Sequence, residues 1–219
     1  MPSPMTTDPA REQILQSIRE NLAASAPLDE MTHALRSAPP LAAPSPRPQA
    51  PDLTTRFTTQ LDAVGAQWTL VRGEVEAARA LRRILSDAGA RRVAGSDAPL
   101  VARLLPERLT DLSRDELFTC DAGVTTAQWG IAETGTLVLE SAREQSRLAS
   151  LVPPMHVALL STSRICASLA DALARVNVAS HAITLITGPS RTSDIELTLV
   201  VGVHGPQVVH VLLLEEETQ

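Results

Sequence analysis

ITLITGPSRTSDIELTLVVGVHGPQVVHVLLL runs from Ile183 to Leu214 and holds three apolar runs, Ile183 to Thr187, Leu197 to Val203 and Val208 to Leu214. Each is rich in Val, Ile and Leu, and Gly or Pro lies between them. Continuous apolar runs of this kind mark strands buried on both faces, as in a parallel sheet covered above and below. The first run stops at Gly188-Pro189, and Ser190-Arg191-Thr192-Ser193-Asp194 then gathers hydroxyls, a guanidinium and a carboxylate. A strand that ends at such a corner and enters a short helix exposes backbone N–H groups beside Arg191, and these are the parts of an anion site. Gly188, Ser190, Arg191, Thr192 and Asp194 are therefore candidate ligand-binding residues. His204, at the end of the second run, either faces the same crevice or caps its strand.

Upstream, helical and extended patterns alternate. Leu53 to Ala63 reads as a helix and Gln67 to Val71 as a strand. Val75, Ala78, Leu81, Ile84, Leu85 and Ala88 mark a helix closed by Gly89. Arg92 to Ala94 reads as a strand, Asp97 to Leu105 as a helix and Leu117 to Cys120 as a strand. Gly135 to Leu139 (strand), Arg143 to Ser150 (short helix) and His156 to Leu160 (strand) follow, and Ser163 caps a helix with core face Ile165, Leu169, Leu173 and Val176. This βαβα rhythm predicts an α/β domain of three layers, a mostly parallel sheet with helices on both faces, over residues 52–219. Residues 1–51 form a separate extension. Asp8-Pro9 is a good helix start, and Ile14, Leu15, Ile18 and Leu22 recur at helical spacing to about Ala24; Ser37 to Pro51, rich in Pro, Ala and Ser, suits an extended linker. The apolar stripe of that helix has three destinations: its own domain, a second copy of the chain, or a different subunit.

Composition removes several function classes. A net charge of −6 argues against a general nucleic-acid binder, which needs clustered positive charge. The sequence contains no lysine, which excludes a Schiff-base lysine, a pyridoxal-phosphate anchor and a Walker-type phosphate loop. Cys120 and Cys166 lie far apart, so an internal iron–sulfur or zinc-thiolate site is not expected, and a reduced, cytoplasmic setting is the simplest fit. The N-terminus lacks the pattern of a secretory signal, and no segment has the length of a membrane span.

A second polar island, GVTTAQWGIAETGT, covers Gly123 to Thr136 just before a strand. Glu133, held beside Gly135 where a backbone can come close to a ligand, suits a general base, a nucleophile or an acceptor for a substrate hydroxyl. It also suits a brace for a turn, with the threonines satisfying local backbone groups. Thr134, Gly135 and Thr136 join the ligand-binding candidates, and both islands are placed in the crevice beyond the carboxyl ends of the strands. His156 and His210 read as structural strand residues, Trp68 and Trp129 as core or rim.

Three blocks carry a family resemblance: GIAETGTLVLES (Gly130 to Ser141), LASLVPPMHVALL (Leu148 to Leu160) and ITLITGPSRTSDIELTLVVGVHGP (Ile183 to Pro206). Together they resemble the lactate utilization protein C family (LutC, formerly YkgG), whose module is the LUD domain, over about Leu53 to Leu214. The resemblance implies a fold similar to the NagB/RpiA/CoA-transferase-like group. It also implies a cytoplasmic component of a system that oxidises L-lactate to pyruvate, beside an iron–sulfur subunit and a cysteine-rich-domain subunit. With no cysteine cluster and no dinucleotide fingerprint, the chain itself is expected to carry no cofactor, and the iron–sulfur clusters are expected on a partner. Three functions stay open: a subunit that binds a small anionic ligand, with Arg191 clamping a carboxylate and Glu133 or His204 contacting the hydroxyl; a free-standing enzyme of the CoA-transferase or sugar-phosphate-isomerase type using Glu133; and a non-catalytic assembly or regulatory subunit, with homo-oligomerisation open in each case.

Overall fold

In the computed structural model the described residues are 9–24, 50–142, 147–177, 179–192, 200–201 and 205–215. The chain falls into two compact units, residues 1–45 and 46–219. Of the first, helix α1 (Pro9–Ala24) is described, with Ile14 and Ile18 exposed. Among the described residues no helix is long and apolar enough to cross a membrane.

The second unit is built on the apolar runs β6 (Met155–Ser161) and β11 (Val208–Glu215), which pair in parallel from Val208↔Met155 to Leu214↔Ser161. Neither alternates polar with apolar, because both of their faces are covered. With β1 (Gln67–Arg72), β2 (Val93–Gly95) and β3 (Ala122–Thr126) they form a five-stranded, all-parallel sheet in the order β1-β11-β6-β3-β2. Helices α3 (Gly73–Asp87) and α4 (Pro99–Leu104) cover one face, where Leu81, Leu85, Val101 and Leu104 pack on Val157, Leu159, Leu212 and Leu214. Helix α2 (Ala50–Ala63) covers part of the other face with Phe57 and Leu61, against Ala158, Leu160, Val209, Val211 and Leu213.

A second, smaller sheet shares that face with α2. It contains β4 (Trp129–Ile131), β5 (Thr136–Glu140), β7 (Ile165–Cys166) and β8 (Ile183–Ile186) in the order β7-β4-β5-β8, antiparallel except for β7 on β4. Leu137, Leu139 and Ile165 carry it onto the parallel sheet. The three expected layers are present, with helices on both faces and this small sheet added to one of them.

Several local expectations are corrected. Leu117 to Cys120 is not a strand: Ser113 Oγ accepts from the Glu116 amide, and Glu116 Oε2 accepts from the Ser113 amide at 2.8 Å. This capping box starts a short helix, α5 (Arg114–Leu117), and the strand begins only at Ala122. Ser163 starts no helix. It lies in a 3-10 turn (Thr162–Arg164), Ile165–Cys166 is drawn into the small sheet by Gly130 and Ile131, and Ser168 caps a shorter helix, α6 (Leu169–Leu173), whose Leu169 and Leu173 are exposed. The run from Ile183 is an edge strand with one wet face, Ile183 and Leu185 being 41% and 48% exposed. Ser190 does not lead directly into a helix: Arg191–Thr192 (β9) pairs antiparallel with Val200–Val201 (β10), and residues 193–199 and 202–204 of the expected segments lie outside the described residues. Of the expected helix Arg143 to Ser150, residues 147–150 form a 3-10 turn and 143–146 lie outside the described residues.

Candidate functional site

The two polar islands meet at one corner. Strands β4 and β5 form a hairpin closed by the turn through Glu133, in which the Gly135 amide donates to the Ile131 carbonyl at 2.9 Å. Because β8 lies beside β5 with Leu137 opposite Ile186, the chain after β8 emerges next to that turn. Three threonines join the islands: Thr134 and Thr136 hydroxyls are 2.6 Å apart, and Thr136 and Thr187 hydroxyls 2.8 Å apart.

Both turns close on the end of α2. Gly135 and Gly188 have φ of +67° and +75°, in the left-handed region that glycine adopts without strain. A Cβ on Gly135 would lie 2.9 Å from the Gln60 carbonyl carbon, and one on Gly188 would lie 2.7 Å from Val64 O, so side chains are excluded there twice over. Arg191 Nη2 donates to that same Val64 carbonyl at 2.7 Å, a cation on an acceptor just past a helix C-terminus. The third block of sequence joins them: the Ser190 amide donates to Pro206 O at 2.8 Å, and a Cβ on Gly205 would meet Ser190 Cβ at 3.4 Å.

Pro206 immediately precedes β11 and Val64 precedes β1, so the corner lies at the amino-terminal edge of the parallel sheet, not in the expected crevice at the carboxyl ends. The cause is the direction of the small sheet: β4 starts near the end of β3 and runs back across the face, carrying its hairpin turn to the opposite edge. Within the corner Glu133, Thr134 and Arg191 are exposed, Thr136 is buried and Ser190 is half-buried. Thr192 lies in β9, while Asp194 and His204 lie outside the described residues. Chemically the corner offers a guanidinium with one N–H committed to a carbonyl, a relay of hydroxyls that can donate or accept, and an exposed carboxylate.

The histidines read as structural are built into strands. His156 is fully buried, its Nε2 2.9 Å from Thr125 Oγ1, and among the described residues its Nδ1 has no partner. Burial pushes its pKa down to about 4, so the ring is neutral. His210 Nδ1–H donates to Gln67 Oε1 at 3.2 Å while Nε2 accepts from the Thr69 hydroxyl at 2.9 Å, and burial lowers its pKa too. Among the described residues no group of three or more His, Cys, Asp or Glu side chains is placed to hold a metal ion, and both cysteines are buried thiols.

Sequence reasoning passed over Glu140, which is 2% exposed at the other end of the small sheet. Its carboxylate accepts from Trp129 Nε1 at 3.0 Å, the Asn177 amide at 2.8 Å and Ser180 Oγ at 3.2 Å, and its own amide donates to Gln128 Oε1 at 2.6 Å. Arg164 and Arg175 lie over the Trp129 ring, 5.0 and 5.5 Å from its centroid. The available signal was an acid closing an apolar run, TLVLE, one hairpin away from an indole donor.

Comparison with known proteins agrees with this frame. The LUD domain profile matches residues 54–214. The chain is similar to lactate utilization protein C of Deinococcus radiodurans, at 32% identity over 96% of this chain and 100% of that one. It is 42% identical to an uncharacterized protein of Neisseria meningitidis serogroup B, over 49% of this chain and 48% of that one, and 37% identical to lactate utilization protein C of Bacillus subtilis, over 44% and 43%. The last two matches thus span about half of the relatives' length. Among solved structures, a DUF162 family protein from Deinococcus radiodurans superposes with a TM-score of 0.58 at 23% identity, covering 77% of this chain and 99% of that one, a likeness of fold.

Proposed function

Because this chain belongs to the LUD domain family, matched over residues 54–214 and along the full length of one lactate utilization protein C, we propose that it serves lactate utilization as a cytoplasmic subunit that binds a small anionic ligand. The observation that supports this reading is the convergence of two islands, far apart in sequence, on the turn after α2. Arg191 is held at Val64 O by one nitrogen and keeps further N–H groups for a carboxylate. The relay Thr134–Thr136–Thr187 and the Glu133 carboxylate border the same corner and suit the hydroxyl of a 2-hydroxy acid. Thr192, and Asp194 and His204 beyond the described residues, complete the proposed ligand set with Gly135, Gly188 and Ser190. Electron transfer falls to an iron–sulfur partner with a cysteine-rich-domain subunit beside it, since neither a cysteine cluster nor a dinucleotide fingerprint occurs in this sequence.

Arg191→Lys keeps the charge and loses the planar two-point fork, so lactate-dependent dye reduction by the reconstituted complex should fall by about tenfold or more. Unchanged reduction with the variant sinks the clamp. Reduction by the iron–sulfur partner alone, at the rate of the complex, sinks the subunit role.

A further inference from the structure

A cleft of about 490 Å³ opens beyond the carboxyl ends of β3 and β6, at the edge of the parallel sheet opposite the Arg191 corner. Pro99, Leu100 and Leu159 give it an apolar wall, and Thr126, Ser161 and Arg164 a polar rim. Its size is that of small-molecule pockets, and crevices beyond the carboxyl ends of parallel strands are where open α/β sheets hold ligands.

Arg164 is the group that decides what such a ligand would be. Its guanidinium carbon lies over the Trp129 ring at 5.0 Å from the centroid, a cation–π contact that holds the side chain at the rim of the cleft. Among the described residues no carboxylate forms an ion pair with it. The nearest candidate by position, Glu140, spends its oxygens on Trp129, Asn177 and Ser180. Arg175 lies 5.5 Å from the centroid of the same ring and does not line the cleft. Gln128, also on the lining, is 7% exposed and held at both ends of its amide, by Thr126 Oγ1 at 3.0 Å and by the Glu140 amide. The described rim is therefore pre-set, and among the described residues that line it there is no carboxylate.

We propose that this cleft is a second ligand site, specific for a small organic anion whose carboxylate or phosphate head pairs with Arg164 and whose apolar body lies on Pro99, Leu100 and Leu159. It is independent of the corner at Arg191, on the other edge of the sheet.

The test is calorimetric titration of the full chain with phenylacetate, phenyl phosphate, acetate and inorganic phosphate, repeated by fluorescence in a Trp68→Phe variant where Trp129 is the remaining indole. At least one phenyl-bearing anion should bind at one site and about tenfold or more tighter than its bare head, with a change in Trp129 emission. Whichever phenyl anion binds identifies the head as carboxylate or phosphate. Arg164→Gln should weaken that binding about tenfold or more and Arg164→Lys by a smaller factor, whereas Arg191→Gln should leave it within about twofold. Absence of saturation up to about 10 mM by both phenyl anions, equal affinity for heads and bodies, or sensitivity to Arg191→Gln but not Arg164→Gln would each overturn the proposal. Because Arg164 is exposed, a melting temperature equal to that of the parent separates lost binding from lost folding.

Discussion

His156 shows how a single side chain can tie stability to pH without any part in binding. It sits at 0% exposure on a central strand, paired with Thr125, and its pKa is about 4 against an ordinary 6.5. The folded pKa is the lower one, so below pH 6.5 the unfolded chain takes up a proton that the native chain refuses. The contribution is complete above pH 6.5 and is lost as the pH falls from 6.5 to 4, amounting to roughly 3 kcal/mol at the acid end. His210, lowered by burial as well, adds in the same direction. Urea unfolding at a series of pH values should show this decline, and His156→Leu should flatten it; a variant with the parent's slope would refute the assignment. The structural reading of His210 followed from its alternation with apolar neighbours, and that of His156 from its place after Pro153-Pro154-Met155 at the start of an apolar run. That one would lack a partner for Nδ1 did not, because the depth of β6 depends on layers contributed from distant sequence.

Among elements, the β4–β5 hairpin does most to organise the molecule, since its turn brings Glu133 to one edge and its open end brings Trp129 and Glu140 to the other. Glu140→Ala would leave an indole N–H, a backbone N–H and a hydroxyl without their acceptor at a part-buried place. The expected loss is about 2 kcal/mol or more, seen as a lower urea midpoint at unchanged slope, while Glu140→Gln, which keeps one acceptor oxygen, should lose less. Equal losses for the two variants would mean that burial, not the acceptor role, dominates. Strands β6 and β11 were legible because their apolar runs are unbroken. The hairpin was half legible: β5 reads as a strand, but β4, short and containing Gly130, has no periodic signal of its own. Its partner β7 was hidden for the same reason, its two apolar residues passing for the start of a helix. The corner proposed to hold an anion was read as a strand running into a helix in the crevice at the carboxyl ends, whereas Arg191–Thr192 is a strand and the corner lies at the other edge of the sheet. Which edge of the sheet a turn reaches depends on the direction of a strand that cannot be recognised locally.

At the scale of the whole molecule, both large cores, the one under α3 and α4 and the one under α2 and the small sheet, are assembled from residues between Leu53 and Leu214. Helix α1 keeps Ile14 and Ile18 exposed, at 61% and 49%. The helix belongs to a compact unit separate from residues 46–219, whose two cores contain none of its side chains, so that domain is expected to fold without it. A chain starting at Ala50 should therefore melt within about 4 °C of the full protein, the shift set by about 1 kcal/mol in a domain of this size. If α1 is the docking element, the same truncation should abolish association with the proposed iron–sulfur partner or with a second copy. Size-exclusion chromatography with light scattering, run on the chain alone and with the partner, distinguishes these cases. Unaltered assembly of the truncated chain would remove α1 from any docking role, and a large drop in melting temperature would mean that its stripe belongs to the core of its own domain.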